Sequence, residues 1–138
     1  MNKETPIGIA LMICDKVITD AATQEKTIVA TFNQILATAF PCTHHRMTVF
    51  VALTNGKGVL DSEIRCVNTD ENTVVFGMKG TVPFVNPTQV IEMAFQFNNL
   101  TFAKPGLHTI EFYCENELIL QRPFHVSLMN PQQQQKPG

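Results

Sequence analysis

The stretch from Pro105 to Val126 constrains the fold more than any other part of this chain, because it has the pattern of one complete β-hairpin. From residue 107 to 115, apolar residues alternate with polar ones, which places one set on each side of an extended strand. Residues 115–117 (Glu-Asn-Glu) form a polar turn in which Asn tolerates the left-handed backbone of a tight hairpin. Residues 118–128 return as the partner strand, so the chain contains an antiparallel sheet.

Eight extended segments, separated by clusters of Asn, Gly, Pro and Asp, indicate an all-β chain. They are residues 7–19, 26–39, 46–55, 59–68, 73–84, 89–98, 107–115 and 118–128. A chain of 138 residues with this spacing predicts a single antiparallel β-sandwich of seven or eight strands, with immunoglobulin-like or Greek-key connections. We expect the domain to span residues 1–128. Residues 129–138, with four consecutive glutamines and two prolines, are expected to be a disordered tail.

Three residues interrupt the strand pattern. Asp15 and Gln34 fall on otherwise apolar faces, and a β-bulge at each place would turn the following side chains over. A carboxylate in an apolar strand has a raised pKa unless it is paired. Asp15 is therefore expected either to hold its strand in register through backbone N–H groups or to be a functional acid. Pro123 removes one ladder donor, which predicts an edge or a bulge there.

The four cysteines indicate a reducing compartment. They form no C-x-x-C pair, and Cys14, Cys66 and Cys114 lie in apolar strand-like runs, where a free thiol behaves as a small buried hydrophobe. The first residues lack the cationic cluster and small-residue cleavage site of a signal peptide. The apolar run at residues 7–14 is too short to span a bilayer. We therefore expect a cytoplasmic protein that does not bind membranes.

Charge and composition narrow the choice of partner. The net charge is −2 and the ten basic residues are scattered singly, so no basic stripe exists to collect phosphates and nucleic acid is not expected as a partner. Charged residues make up only 16% of the chain, against about 25% in ordinary soluble domains. Part of the surface is therefore expected to be covered by a protein partner or by another copy.

Cys42, His44 and His45 form the one cluster of soft metal ligands in the sequence. They follow Pro41 in the loop predicted between the second and third strands, where their side chains could converge. Zinc sites use such ligands but need three or four of them. Cys42 could also act as a nucleophile if one of the histidines activated its thiol. The sequence thus offers a candidate metal site or thiol site at Cys42, His44 and His45, and it predicts no other cofactor.

Several segments resemble a family of small, uncharacterised bacterial β-sandwich proteins. The resemblance is carried by Ala10-Leu11-Met12-Ile13-Cys14-Asp15, by Phe40-Pro41 with His44, and by the closing hairpin from Pro105-Gly106 through Glu117-Leu118 to Arg122-Pro123-Phe124. It implies a bacterial cytoplasmic sandwich domain. The family brings no activity, cofactor or catalytic residue to transfer.

The functional hypothesis that fits these observations is a non-catalytic interaction or scaffold module that recognises a protein through a strand edge or a sheet face. The loops 41–46 and 98–105 are expected to supply specificity. Two alternatives belong to other classes: a metal-dependent or thiol enzyme that uses Cys42, His44 and His45, and a binder of small apolar ligands in a gap between the sheets.

Overall fold

The computed structural model describes residues 2–129. It contains nine β-strands: β1 (Ile7–Thr19), β2 (Lys26–Thr31), β3 (Gln34–Ala37), β4 (Cys42–Thr54), β5 (Gly58–Asn68), β6 (Thr73–Phe84), β7 (Val90–Phe102), β8 (Gly106–Cys114) and β9 (Glu117–Leu128). Within residues 2–129 no helix is long and apolar enough to cross a membrane. The predicted tail, apart from Met129, lies outside the described residues.

The strands form two sheets that enclose a common core. The four-stranded sheet has the order β2-β1-β4-β7, and the five-stranded sheet has the order β3-β9-β8-β5-β6. β4 lies beside β7, and β5, β8 and β9 are successive neighbours. Immunoglobulin-like sandwiches arrange their strands B–E and C–F–G in the same way. The prediction of an all-β sandwich is confirmed.

The structure has one strand more than the eight predicted segments because the second segment divides at Phe32 and Asn33. β2 stays beside β1, whereas β3 crosses to the other sheet and pairs parallel with β9, from Gln34 opposite His125 onwards. The change of alternation at Gln34 therefore marks a change of sheet and not the predicted bulge. The parallel pair makes the five-stranded sheet mixed, where the sequence predicted purely antiparallel pairing.

β4 and β7 are both longer than predicted, because they pair with each other beyond the predicted strand ends. Their register runs from Thr54 opposite Val90 to Cys42 opposite Phe102. Asn99 adopts the left-handed conformation (φ 54) inside this pair, so a turn signal lies within a strand. Residues 42–45 and 99–102, which lie in the predicted loops and outside the predicted strands, are strand.

The other two interruptions of the pattern have different outcomes. The register of β1 with β2 is regular on both sides of Asp15, because Cys14 pairs with Thr31 and Lys16 pairs with Val29. The register shift of β1 lies between Gly8 and Ala10, so the bulge predicted at Asp15 was wrong. Pro123 lies where β9 is an edge, because β3 pairs with β9 only beyond that point.

The core between the sheets is built from aliphatic and aromatic side chains, each of which stabilises the fold by roughly 2 kcal/mol when fully buried. The alternation that defines the closing hairpin is borne out, since the apolar side of β8 is buried throughout. His108 belongs to that side. Its ring centroid lies 5.2 Å from that of Phe102 and 5.4 Å from that of Phe124, and its Nδ1 lies 3.0 Å from the carbonyl oxygen of Gly106.

Two glycines of β6 have opposite surroundings. A Cβ atom added to Gly80, which pairs with Ser62, would have no heavy atom nearer than the Ser62 hydroxyl oxygen at 4.0 Å. A Cβ atom added to Gly77 would lie 3.0 Å from the carbonyl oxygen of Ile64 and 3.3 Å from the Cβ atom of Arg65. Gly80 therefore leaves open space, whereas Gly77 permits a close approach between β6 and β5.

We expect Gly80→Ala to raise the free energy of unfolding by about 0.5–1 kcal/mol, because alanine restricts the unfolded chain and fits without strain. Gly77→Ala should be the less stable variant of the two, since its methyl group meets the backbone of β5. Urea unfolding midpoints of both variants and of the wild type measure the difference. A Gly77→Ala variant as stable as Gly80→Ala would contradict the close approach.

Candidate functional site

Cys42, His44 and His45 lie at the start of β4 and not in a loop. Their exposure alternates along the strand: Cys42 and His44 are half-buried, whereas His45 is exposed. Because successive side chains of a strand point to opposite faces, His45 is directed away from the other two. The structure therefore brings together two of the three residues in the predicted cluster.

His44 is the most unusual member of this cluster. Its ring packs against Phe32, with ring centroids 5.3 Å apart, and its Nε2 atom is buried without a hydrogen-bond partner. Burial lowers the pKa of His44 below its ordinary value, although the backbone of Arg46 and the charge of Asp15 act in the opposite direction. A surface depression of about 430 Å³ adjoins it, lined by β3 and the connection to β4.

The chemistry available at this cluster is limited. Within residues 2–129 no group of three or more His, Cys, Asp or Glu residues is placed to hold a metal ion, whereas zinc sites take at least three protein ligands. Burial raises the pKa of the Cys42 thiol, which disfavours the thiolate that a nucleophile requires. Metal binding by Cys42, His44 and His45 stays a prediction.

Asp15 is held by a side chain that the sequence analysis did not connect with it. Arg46 donates from Nε to Oδ1 at 3.1 Å and from Nη2 to Oδ2 at 2.6 Å, and Thr48 donates to the backbone oxygen of Asp15 at 3.0 Å. The hydrogen bonds from Arg46 lower the pKa of the Asp15 carboxyl group, with partial desolvation opposing them. These bonds join β1 to β4 across the sheet.

A second charged cluster, on the five-stranded sheet, was also missed from the sequence. Arg65 donates from Nε to Glu111 Oε1 at 3.0 Å and from Nη2 to the Tyr113 hydroxyl oxygen at 2.8 Å. Its guanidinium carbon lies 4.5 Å from the centre of the Tyr113 ring. A depression of about 400 Å³ lies beside it, bordered also by Glu63 and Lys79. Because its guanidinium group is already bonded to Glu111 and Tyr113, Arg65 is not a free anion-binding group.

Among the strands of residues 2–129, β7 is an edge of the four-stranded sheet and has a hydrogen-bonded neighbour, β4, on one side only. We call the side of residues 90–98 that faces away from β4 the free β7 edge. Its backbone runs without a register shift over these residues. Along the same stretch, exposed residues alternate with half-buried or buried ones that point toward the core.

A small apolar opening lies between the sheets at the β6 and β7 side of the sandwich. It has a volume of about 70 Å³ and is bordered by Met78 of β6 and by Met93 and Phe95 of β7. Gly80 and Ser62 contribute no bulk there. Met78 is 44% exposed.

The comparison with known families decides how the chain is classified. The model of a family of unknown function, DUF6941, matches residues 9–127, which run from β1 to β9 and include both sheets. The chain belongs to the DUF6941 family. The predicted resemblance to an uncharacterised family is thus confirmed. No curated protein matches the chain, and the classification assigns no role to any residue.

The two histidines should respond differently to substitution. We expect His44→Leu to raise the free energy of unfolding by on the order of 1 kcal/mol, because it removes a buried nitrogen that has no hydrogen-bond partner. The matched change His45→Leu, at an exposed position, should alter it by less than about 0.5 kcal/mol. Urea unfolding and metal analysis of protein purified without a metal-chelating tag measure both. Stoichiometric zinc that is lost in either variant would establish the metal site instead.

Stability should fall as the pH drops from 7.5 to 5.5. Burial lowers the pKa of His108 and of His44 in the folded protein. An unfolded histidine gains its proton below about pH 6.5, so the unfolded chain then binds more protons than the folded one. The free energy of unfolding therefore decreases as the pH falls. Urea midpoints at the two pH values measure the effect. His108→Phe, which keeps an aromatic ring beside Phe102 and Phe124, should show a smaller fall. An unchanged fall in this variant would rule out His108 as a source.

Proposed function

We propose that this protein is a non-catalytic interaction module that binds a protein partner by adding a strand to the free β7 edge. The observation that carries the proposal is the composition of this edge. β7 has 13 residues, contains no proline, and carries Glu92 as its single charge. Natural proteins usually block a long edge strand with lysine, proline or a bulge, and an unblocked edge pairs readily with another strand.

The other edge strands carry such protection. β2 has six residues, with Lys26 at one end and the left-handed Ala30 (φ 57) near the other. β3 has only four residues. β6 is long but contains Lys79, Pro83 and two glycines. The contrast singles out β7 as the edge suited to a partner.

Recognition at this edge combines backbone and side-chain contacts. The unpaired N–H and C=O groups of residues 90–98 can form a ladder with an extended segment, which gives affinity without requiring one sequence. Met93 and Phe95 present half-buried apolar surface on the core side of the same edge. A partner strand with an apolar residue at every second position would cover them, which gives the specificity.

We place the protein in the cytoplasm and do not expect nucleic acid as its partner. The four cysteines are unpaired thiols, and three of them are buried, which suits the reducing conditions of the cytoplasm. A bacterial source rests on the sequence resemblance alone. Nucleic acid is left out because the ten basic residues are dispersed along the chain and Arg46 and Arg65 are engaged by carboxylates.

A labelled synthetic peptide with the sequence of residues 90–98 serves as a probe for strand addition. We expect the full chain, titrated into a fixed low concentration of this peptide, to bind it saturably in fluorescence anisotropy, because the peptide can complete the backbone ladder of the free β7 edge. A matched peptide with prolines at the positions of Ile91 and Ala94 lacks one N–H donor on each side of its strand, so it loses a ladder donor whichever side pairs, and it should not bind. Hydrogen exchange should slow at β7 and stay unchanged at β2 and β6.

Two results would refute strand addition at β7. One is equal binding of the two peptides, because that points to non-specific hydrophobic contact. The other is slowed exchange confined to β6 or β2, because that places the partner on a different edge.

A further inference from the structure

We propose that the partner at the free β7 edge is a second copy of this chain, which pairs its own β7 antiparallel with the first. The inference rests on the proposed function, since it names the partner of the same edge. A two-fold axis passes beside Ala94, and two four-stranded sheets become one continuous sheet across the pair.

Symmetry restricts the register of such a pair. When two identical antiparallel strands are related by a two-fold axis, residues equally far on either side of the axis lie opposite each other. Inner-face side chains stay opposite inner-face side chains only if the axis passes through a residue. The regular edge consists of residues 90–98, since all of them pair with β4 in one register and the left-handed Asn99 follows (φ 54). Ala94 is the middle residue of this segment.

The exposed side chains match in this register. Ala94 meets Ala94 of the second copy, and its small side chain leaves room for close approach at the axis. Glu92 lies opposite Gln96 of the second copy, and the reverse pair forms on the other side of the axis. The single charge of β7 therefore meets a neutral amide. Gln96 Nε2 already donates to Asn98 Oδ1 at 3.2 Å, and its second N–H can donate to the Glu92 carboxylate.

The core-facing side chains match as well. Met93 lies opposite Phe95 of the second copy, which allows a sulfur–aromatic contact on each side of the axis. Both residues are half-buried in one copy and border the apolar opening of about 70 Å³. Pairing covers this opening from both sides, so the second copy removes from solvent the apolar surface that one copy leaves exposed.

Registers whose axis passes through the next exposed residue on either side of Ala94 fit worse. An axis at Glu92 would place two carboxylates opposite each other, which is destabilising. An axis at Gln96 would set Glu92 opposite Leu100, beyond the left-handed Asn99. An axis at Phe95 would set Glu92 opposite Asn98, which is also an amide, but would place Gln96 opposite Ala94. An axis at Met93 would place Gln96 opposite Val90. Gln96 lies opposite Glu92 in neither register, so a charge placed at residue 96 distinguishes the Ala94 register from both.

A matched pair of charge substitutions tests the register by sedimentation of the full chain over a dilution series. Gln96→Lys places a lysine opposite Glu92 twice in the pair, and we expect it to lower the dimer Kd on the order of fivefold. Gln96→Glu places two carboxylates opposite each other twice and should raise the dimer Kd by a similar factor. Gln96 is exposed, so urea unfolding of dilute samples should show the same midpoint for both variants.

A substitution at the axis separates a second copy from any other partner. Ala94→Lys brings two ammonium groups together only when two copies pair, so this variant should raise the dimer Kd on the order of fivefold. It should still bind the peptide of residues 90–98, which carries alanine at the axis position.

The outcomes distinguish this inference from the proposed function. A wild-type chain that is monomeric at all concentrations but binds the peptide would overturn the second copy and leave strand addition intact. A dimer whose Kd is unchanged by the substitutions at Gln96 and Ala94 would also overturn it, because the interface would then lie elsewhere. A chain that neither dimerises nor binds the peptide would overturn both proposals.

Discussion

Backbone pairing between β4 and β7 determines most of what distinguishes this sandwich. β4 is buried on both faces from Met47 to Leu53, so its position is fixed by packing, and β7 follows it in register over its whole length. This pairing makes residues 42–46 strand, which turns His44 toward Phe32 and His45 toward solvent. On its far side, β7 has no paired strand within the part of the chain that the structure describes. The rigidity of the centre and the availability of the edge therefore have one origin.

The sequence predicted those features that depend on residues close together along the chain. The closing hairpin was predicted with its buried side because alternation and turn chemistry act over a few residues. The parallel pairing of β3 with β9 joins residues 34–37 with residues 125–128. No local sequence pattern predicts a contact between residues so far apart in the chain. The partner of Asp15 was missed for the same reason, since Arg46 lies 31 residues away.

The candidate metal cluster illustrates a different limit of sequence reading. Cys42, His44 and His45 are adjacent in the sequence, and in a loop adjacent side chains can converge on one ion. In a strand, neighbours point to opposite faces, so the extension of β4 to Cys42 separates what the sequence placed together. The free β7 edge shows the reverse case. Its composition is visible in the sequence, but its significance depends on the sheet order, in which β7 is the last strand among the described residues.

The short, interrupted β2 determines how far assembly through β7 can proceed. If both outer strands of the four-stranded sheet were open, each added copy would expose a fresh edge and the chain would grow into a filament. β2 has six residues and the left-handed Ala30, so it offers little backbone in a form that another strand can follow. In the proposed pair of copies, the two β2 strands would form the outer edges of the joined four-stranded sheets, and growth would stop at two copies. The irregular backbone of β2 would then act as a terminator that keeps the assembly finite.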